Sequence, residues 1–282
     1  MKVYNVQVER IDELVALVKK KKELMFLDNE IVLQHIEKYL KQNNKVVSII
    51  NSIDKLEKNA SVKKMIKYVR DSVHSVYGMF QSKNINKRKD LLDRYVKGED
   101  VLIELLKTHV STKERVDIND ELYKKIFAIT GKPKSILDLG CGLNPLTIPF
   151  MDLKKVDYIA SDFNQLDMDF LESYFGTLKT GFNGIAVKHD LLNDYKKLNN
   201  YTVDVCFLFK VLDSLETVKK NISYDIFKVI NAKWIVVSFP TKTLTGNEMR
   251  LKRRNWFEKI CERYGYTFEM LEMNELFYVV KK

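Results

Sequence analysis

With 282 residues, 45% hydrophobic and 30% charged, the chain has room for one large or two modest domains and is too apolar to be disordered. No stretch approaches the ~20 uninterrupted apolar residues of a membrane helix, and the opening residues lack the apolar core of a signal peptide. Lys and Arg outnumber Asp and Glu 48 to 38, a net charge of +10 that suits a polyanion such as nucleic acid and equally a lysine-rich soluble surface.

Residues 1–107 read as a helical subdomain with 22 basic and 15 acidic side chains, net +7, whereas 108–282 hold 26 and 23, net +3. Apolar residues recur at helical spacing through Ile11–Val18, Ile31–Leu40, Val46–Ile53 and Val62–Tyr77, with no proline before Pro133. Asp28 and either Asn59 or Ser61 are expected N-caps, and Gly78 an expected stop or kink. Lys83, Lys87, Arg88 and Lys89 read as a basic connector to a further helix over Leu91–Val96.

After residue 130 the rhythm changes. Short apolar runs at Lys134–Asp138, Asp157–Ser161, Gly184–Lys188, Val203–Phe209 and Lys233–Phe239 alternate with helical stretches, which predicts a parallel sheet wrapped by helices. Two further strand-like runs, Tyr266–Leu271 and Glu275–Val280, suit a closing antiparallel hairpin. Cys141, Cys206 and Cys261 have no C-x-x-C spacing and read as packing residues, so no metal is expected and a reducing cytoplasm is. Trp256, Phe257, Ile260, Cys261 and Tyr264 form a helical apolar stripe that reads as core.

The chemistry concentrates where strands end. Gly140-Cys141-Gly142 follows the first strand, and Asn144-Pro145 reads as an N-cap with proline at the first helical position. Proline stands where a dinucleotide fingerprint needs its third glycine, and there is no Gly-Lys-Ser/Thr phosphate loop. Asp162 ends the second strand, placed to accept hydrogen bonds from a ribose diol, and Asp190 ends the third, placed to accept from an adenine amine. Each could simply cap a helix; the whole ordered set favours a nucleoside ligand at the carboxyl ends of a parallel sheet. It is similar to the S-adenosylmethionine site of class I methyltransferases.

His109-Val-Ser-Thr-Lys-Glu-Arg115, Leu122-Tyr123, Gly140-Cys-Gly-Leu-Asn-Pro-Leu146, Phe207–Leu212, Ser238–Gly246, Trp256-Phe257 and Asn274–Leu276 follow in order. Together they resemble the aminoglycoside-resistance 16S ribosomal RNA guanine-N7 methyltransferases, over residues 100–282 and more faintly around Lys63–Phe80. The resemblance implies a Rossmann-like α/β fold, a mostly parallel seven-stranded sheet with an N-terminal helical subdomain. Residues 1–107 would dock RNA and 108–282 would bind S-adenosylmethionine and transfer its methyl group. Arg115 would grip the methionine carboxylate within a loop that includes His109, Ser111 and Thr112. Gly140 would pass the methionyl chain, Asp162 would hold the ribose, and Asp190 and Leu191 would flank the adenine. Phe209 and Lys210 would stand at the pocket mouth. Asp213 departs from the family, which usually has proline there.

The basic run Lys242, Arg250, Lys252, Arg253 and Arg254 follows the fifth strand; Lys242, Arg250 and Arg253, with Lys210, are the expected RNA contacts. Guanine N7 offers a lone pair and loses no proton on attack, so positioning alone suffices and no catalytic acid or base is expected. The implied partner is 16S rRNA of the small ribosomal subunit, at its decoding site, and the protein is expected to be a cytoplasmic monomer with no membrane partner. A small-molecule methyltransferase and a non-catalytic RNA-binding relative are the alternatives.

Overall fold

The computed structural model describes residues 6, 8–21, 24, 25, 27, 29–73, 87–178, 180–242 and 246–282. Asp28, Val76, Tyr77, Gly78 and Lys83 lie outside them. The chain divides into two compact units, Met1–Gln81 and Ser82–Lys282.

The first unit contains helices α1 (Val8–Lys19), α2 (Asn29–Gln42), α3 (Lys45–Ser52) and α4 (Ala60–Val73). The apolar stripes read from spacing are its core: Leu14, Val15 and Val18, then Ile31, Val32, Ile36 and Leu40, then Val62, Met65, Val69 and Val73 are all buried. On α3 only Val46 and Ile50 are buried. Asn59 is the cap of α4, its Oδ1 accepting from the Ser61 and Val62 amides at 2.9 and 3.3 Å. Arg70 donates to the Leu17 and Val18 carbonyls at the end of α1, at 2.6 and 3.0 Å, satisfying acceptors the helix leaves open.

The second unit is built on seven strands: β1 (Ser135–Leu139), β2 (Val156–Asp162), β3 (Phe182–Lys188), β4 (Thr202–Phe209), β5 (Asn231–Pro240), β6 (Thr267–Glu272) and β7 (Glu275–Lys281). Their order is β3-β2-β1-β4-β5-β7-β6. The first five are parallel, and β7 runs antiparallel between β5 and β6. All seven fall on the apolar runs read from the sequence. Strand side chains alternate between faces. Ile136, Tyr158, Val205, Phe207 and Phe277 enter one core, and Leu137, Cys206, Leu208, Val237 and Tyr278 the other.

Helices α5 (Arg88–Val96), α6 (Leu102–Leu106), α7 (Val110–Arg115), α8 (Asn119–Thr130) and α9 (Gln165–Phe175) precede or interleave with the early strands. Then come α10 (Leu212–Val218), α11 (Ile222–Val229) and α12 (Asn255–Tyr264). Leu91, Leu92, Leu105 and Leu106 of α5 and α6 share the first core with the sheet, so the boundary falls at residue 81 and not at 107. Helical periodicity and charge grouped these two helices with the N-terminal ones, whereas burial of their apolar faces assigns them to the sheet. With that boundary the first unit carries 15 basic and 10 acidic residues, net +5, as does the much longer remainder.

Candidate active site

The turn after β1 carries two left-handed glycines, Gly140 at φ +62° and Gly142 at φ +49°. A Cβ on Gly140 would lie 2.6 Å from Val211 Cγ2, and one on Gly142 would lie 2.6 Å from the His109 ring. Both positions need glycine for backbone sign and for space. His109 stands at the N-cap of α7, and burial, with Arg88, Arg115 and Lys210 nearby, lowers its pKa to about 3, so the imidazole is neutral.

Asn144 does not cap the short 3₁₀ segment Asn144–Phe150 that it begins. Its amide joins two charged groups instead: Nδ2 donates to Asp138 Oδ2 at 2.9 Å, and Oδ1 accepts from Arg115 Nη2 at 3.1 Å. Tyr158 also donates to Asp138 Oδ2, at 2.6 Å, yet burial still pushes the Asp138 carboxyl up to about 6.

Arg115 is 1% exposed and highly connected. Nη1 donates to Ser111 Oγ at 2.8 Å and to Glu275 Oε1 at 3.1 Å, and the guanidinium lies 5.2 Å from the Phe209 ring centroid. Its Nε is buried with no hydrogen-bond partner among the described residues. Glu275 arrives because β7 is antiparallel, pairing it with Pro240 at the carboxyl end of β5. Its other oxygen accepts from Ser238 Oγ at 2.5 Å. Thr112, fully buried, spends its hydroxyl on the Leu106 and His109 carbonyls, and so shapes the loop from within.

Asp162 closes the site from β2. Oδ2 accepts from the Gly142 amide at 2.9 Å and Oδ1 from the Asn164 amide at 3.1 Å. Burial, then the neighbouring Asp167 charge, raise its pKa to about 7 despite these donors. Asp190 is half-buried; it closes its own turn by accepting from Leu192 N and Asn193 Nδ2, beside buried Leu191.

Two expected placements change. Phe209 is not at a mouth: it is 6% exposed, stacked on Phe207 at 4.9 Å and edge-on to Phe277 at 5.6 Å, as a floor beneath Arg115. Lys210 is not on an open surface, because its side chain is 11% exposed and ion-paired to Glu114 and Glu275. Its left-handed backbone, φ +59°, turns it inward directly after β4. Lys242, Arg250 and Arg253 are exposed as expected. Arg253 is held by Glu258, whereas no ion pair among the described residues engages Lys242 or Arg250. Arg254, from the same run, is 8% exposed and pairs with Asp213.

The structure gathers Arg115, the two glycines and Asp162 around the turn after β1, and adds Glu275, to which the sequence assigned no role, together with Asn144 and Arg88, which it read as a helix cap and a connector residue. Glu275 stood inside a matched motif without a partner to explain it. The residues present fit S-adenosylmethionine: a buried guanidinium with an unused Nε suits a carboxylate, and a buried, main-chain-bound Asp162 suits a sugar diol. Among the described residues no group of acids, histidines and cysteines could hold a metal ion, and no helix is long and apolar enough to cross a membrane.

The family model described as "Ribosomal RNA methyltransferase (FmrO)" matches residues 57–279. A 16S rRNA (guanine(1405)-N(7))-methyltransferase of Micromonospora rosea is 32% identical over 231 residues, covering 77% of this chain and 82% of the relative. One from Proteus mirabilis is 28% identical over 243 residues, covering 78% and 85%. The crystal structure of the 16S rRNA methyltransferase RmtF in complex with S-adenosyl-L-homocysteine superposes with a TM-score of 0.75 at 23% identity, over 98% of this chain and 99% of that one, a likeness of fold.

Proposed function

The chain belongs to the FmrO family of ribosomal RNA methyltransferases, and from that premise we propose that it transfers a methyl group from S-adenosylmethionine to N7 of a guanine in the decoding site of 16S rRNA. One observation carries the site assignment. Buried Arg115, at the end of α7, and buried Asp162, at the end of β2, are joined through the turn that follows β1, Asp162 accepting from Gly142 N and Arg115 donating to Asn144.

S-adenosylmethionine supplies an electrophilic methyl group when bound. Arg115 holds the carboxylate, Gly140 leaves room for the methionyl chain, Asp162 accepts from the ribose, and Asp190 and Leu191 flank the adenine. Ser111 and Thr112 hold the Arg115 loop in shape. His109, neutral and packed on Gly142, supports the turn and takes no proton. The guanine needs no general base, so the residues act by orientation. A guanine in folded RNA is extruded to reach such a recessed site.

Lys242 and Arg250 contact RNA phosphates, with Arg253 contributing from its pair with Glu258. The first unit, net +5 in 81 residues, docks the RNA. The protein works as a cytoplasmic monomer on the small subunit.

Tritiated-methyl transfer to intact small subunits, naked 16S rRNA and small molecules, with the modified nucleotide mapped, tests the reading. Label on guanine N7 of the subunit is expected. Label on a small molecule alone, or cofactor binding without transfer, would overturn it. Deleting residues 1–81 is expected to preserve cofactor binding and abolish subunit methylation.

A further inference from the structure

Among the described residues of the basic connector, Arg88 is the one that the fold takes inside. It is 4% exposed, between exposed Lys87 and Lys89. Its guanidinium uses three nitrogens on two segments, the turn before α7 and the first turn of α9. Nε donates to Thr108 Oγ1 and Nη2 to the Thr108 carbonyl, each at 3.1 Å, while Nη1 is bonded to Asp167 Oδ1. Asp167 is itself 4% exposed, and its second oxygen accepts from Asn164 Nδ2 at 3.0 Å.

Each segment leads directly to one end of the site. Thr108 precedes His109, the N-cap of α7, and α7 ends on Arg115. Asn164 donates its amide to Asp162 Oδ1 and, through Oδ1, caps α9 at Leu166 N. A single side chain therefore spans from the base of the Arg115 helix to the turn that presents Asp162.

We propose that Arg88, paired with Asp167, is a positioning residue that sets the separation between Arg115 and Asp162, and hence the affinity for a cofactor that must reach both. This rests on the methyltransferase reading above. A buried ion pair contributes little net stability compared with apolar residues of the same volume. Its advantage is geometric, since a planar guanidinium holds two acceptors at fixed angles and a lysine cannot. S-adenosylmethionine spans the two ends. 5′-Methylthioadenosine has the adenosine end and lacks the amino acid carboxylate, so it depends on one end only.

The test uses the full chain with Arg88→Lys, Thr108→Val and, as a control remote from the site, Ile226→Val on α11. Thr108→Val removes the hydroxyl, with its tie to Arg88 Nε and its bond to the Leu105 carbonyl, and keeps the Thr108 carbonyl, so it reports even where Arg88→Lys fails to fold. Affinities for S-adenosylmethionine and methylthioadenosine are measured by calorimetry, with melting temperatures alongside. Arg88→Lys is expected to weaken S-adenosylmethionine by about tenfold or more, as for a misplaced binding group, and methylthioadenosine far less. Thr108→Val should show the same ordering with a smaller loss, and Ile226→Val no discrimination. Equal losses for both ligands, no loss in the folded variants, or discrimination matched by Ile226→Val overturns the proposal. Wild-type protein that fails to bind S-adenosylmethionine overturns the methyltransferase reading, and the inference with it. Wild-type binding with an unchanged ligand ratio in the variants overturns the inference alone.

Discussion

Arg254 Nη2 and Asp213 Oδ2 lie 3.1 Å apart, joining the first turn of α10 to the residue before α12. The guanidinium also donates to the Lys252 and Pro240 carbonyls, at 2.7 and 3.2 Å, and lies 5.2 Å from the Phe239 ring centroid. Asp213 thus replaces the proline usual in the resembling enzymes with an acid that has its own cation. Arg254→Ala should lower stability by about 1–3 kcal/mol through lost hydrogen bonds. Urea denaturation measures that loss, and calorimetry should find cofactor affinity unchanged. Undiminished stability with a flatter salt dependence of RNA binding would return Arg254 to the RNA surface.

Asp162 is expected to make cofactor binding pH-dependent. Burial and then Asp167 raise its carboxyl from 3.8 to about 7, so the free protein holds a proton there below neutrality. In the free protein this group's contribution is fully present below its unfolded value and is lost as pH rises through about 7. Ribose hydroxyls donate to the ionised carboxylate, so binding releases the proton and tightens as pH rises from about 5 to 8. Neutral His109, lowered to about 3, adds nothing in that range. Calorimetry in buffers of different ionisation enthalpy measures the proton released. Asp162→Ala should cost about 1–3 kcal/mol of binding and remove the pH dependence. A flat wild-type profile contradicts the assignment.

Gly142 and His109 are coupled by contact. Gly142→Ala places a methyl 2.6 Å from the ring on a backbone at φ +49°, two costs in one substitution. The strained backbone alone is worth about 1–3 kcal/mol. Adding His109→Ala should recover the steric share and leave the backbone share, a non-additive double-mutant cycle measured by thermal unfolding. Strict additivity would show that the ring yields freely.

Lys242→Ala with Arg250→Ala should weaken subunit binding and reduce its salt slope by roughly one unit per lost phosphate contact, treating duplex RNA like duplex DNA. S-adenosylmethionine affinity should not move. Lys210→Ala should do the reverse, disturbing the site through Glu275 while leaving the slope intact. Parallel salt slopes for wild type and the Lys242/Arg250 double variant remove these two residues from the RNA surface.

Strands and helices were legible because each follows a local period, and Gly140, Asp162 and Arg115 were singled out because their order along the chain resembles a cofactor layout. What failed to show was pairing across distance. Arg88 and Arg254 looked like members of exposed basic runs, and only their acids, 79 and 41 residues away, draw them inside. Glu275 is opaque for the same reason: its meaning depends on Arg115, 160 residues earlier, and on an antiparallel strand delivering it. Charge density reported the solvated faces of α5 and α6 and hid their apolar ones, which displaced the boundary.

Strand β7 also bears on timing. It follows every other element of the site in chain order, yet it lies between β5 and β6 and provides the carboxylate shared by Arg115 and Lys210. A nascent chain can therefore assemble β1 to β5 while still being translated, but its pocket lacks Glu275 until residues 275–281 have left the ribosome and inserted.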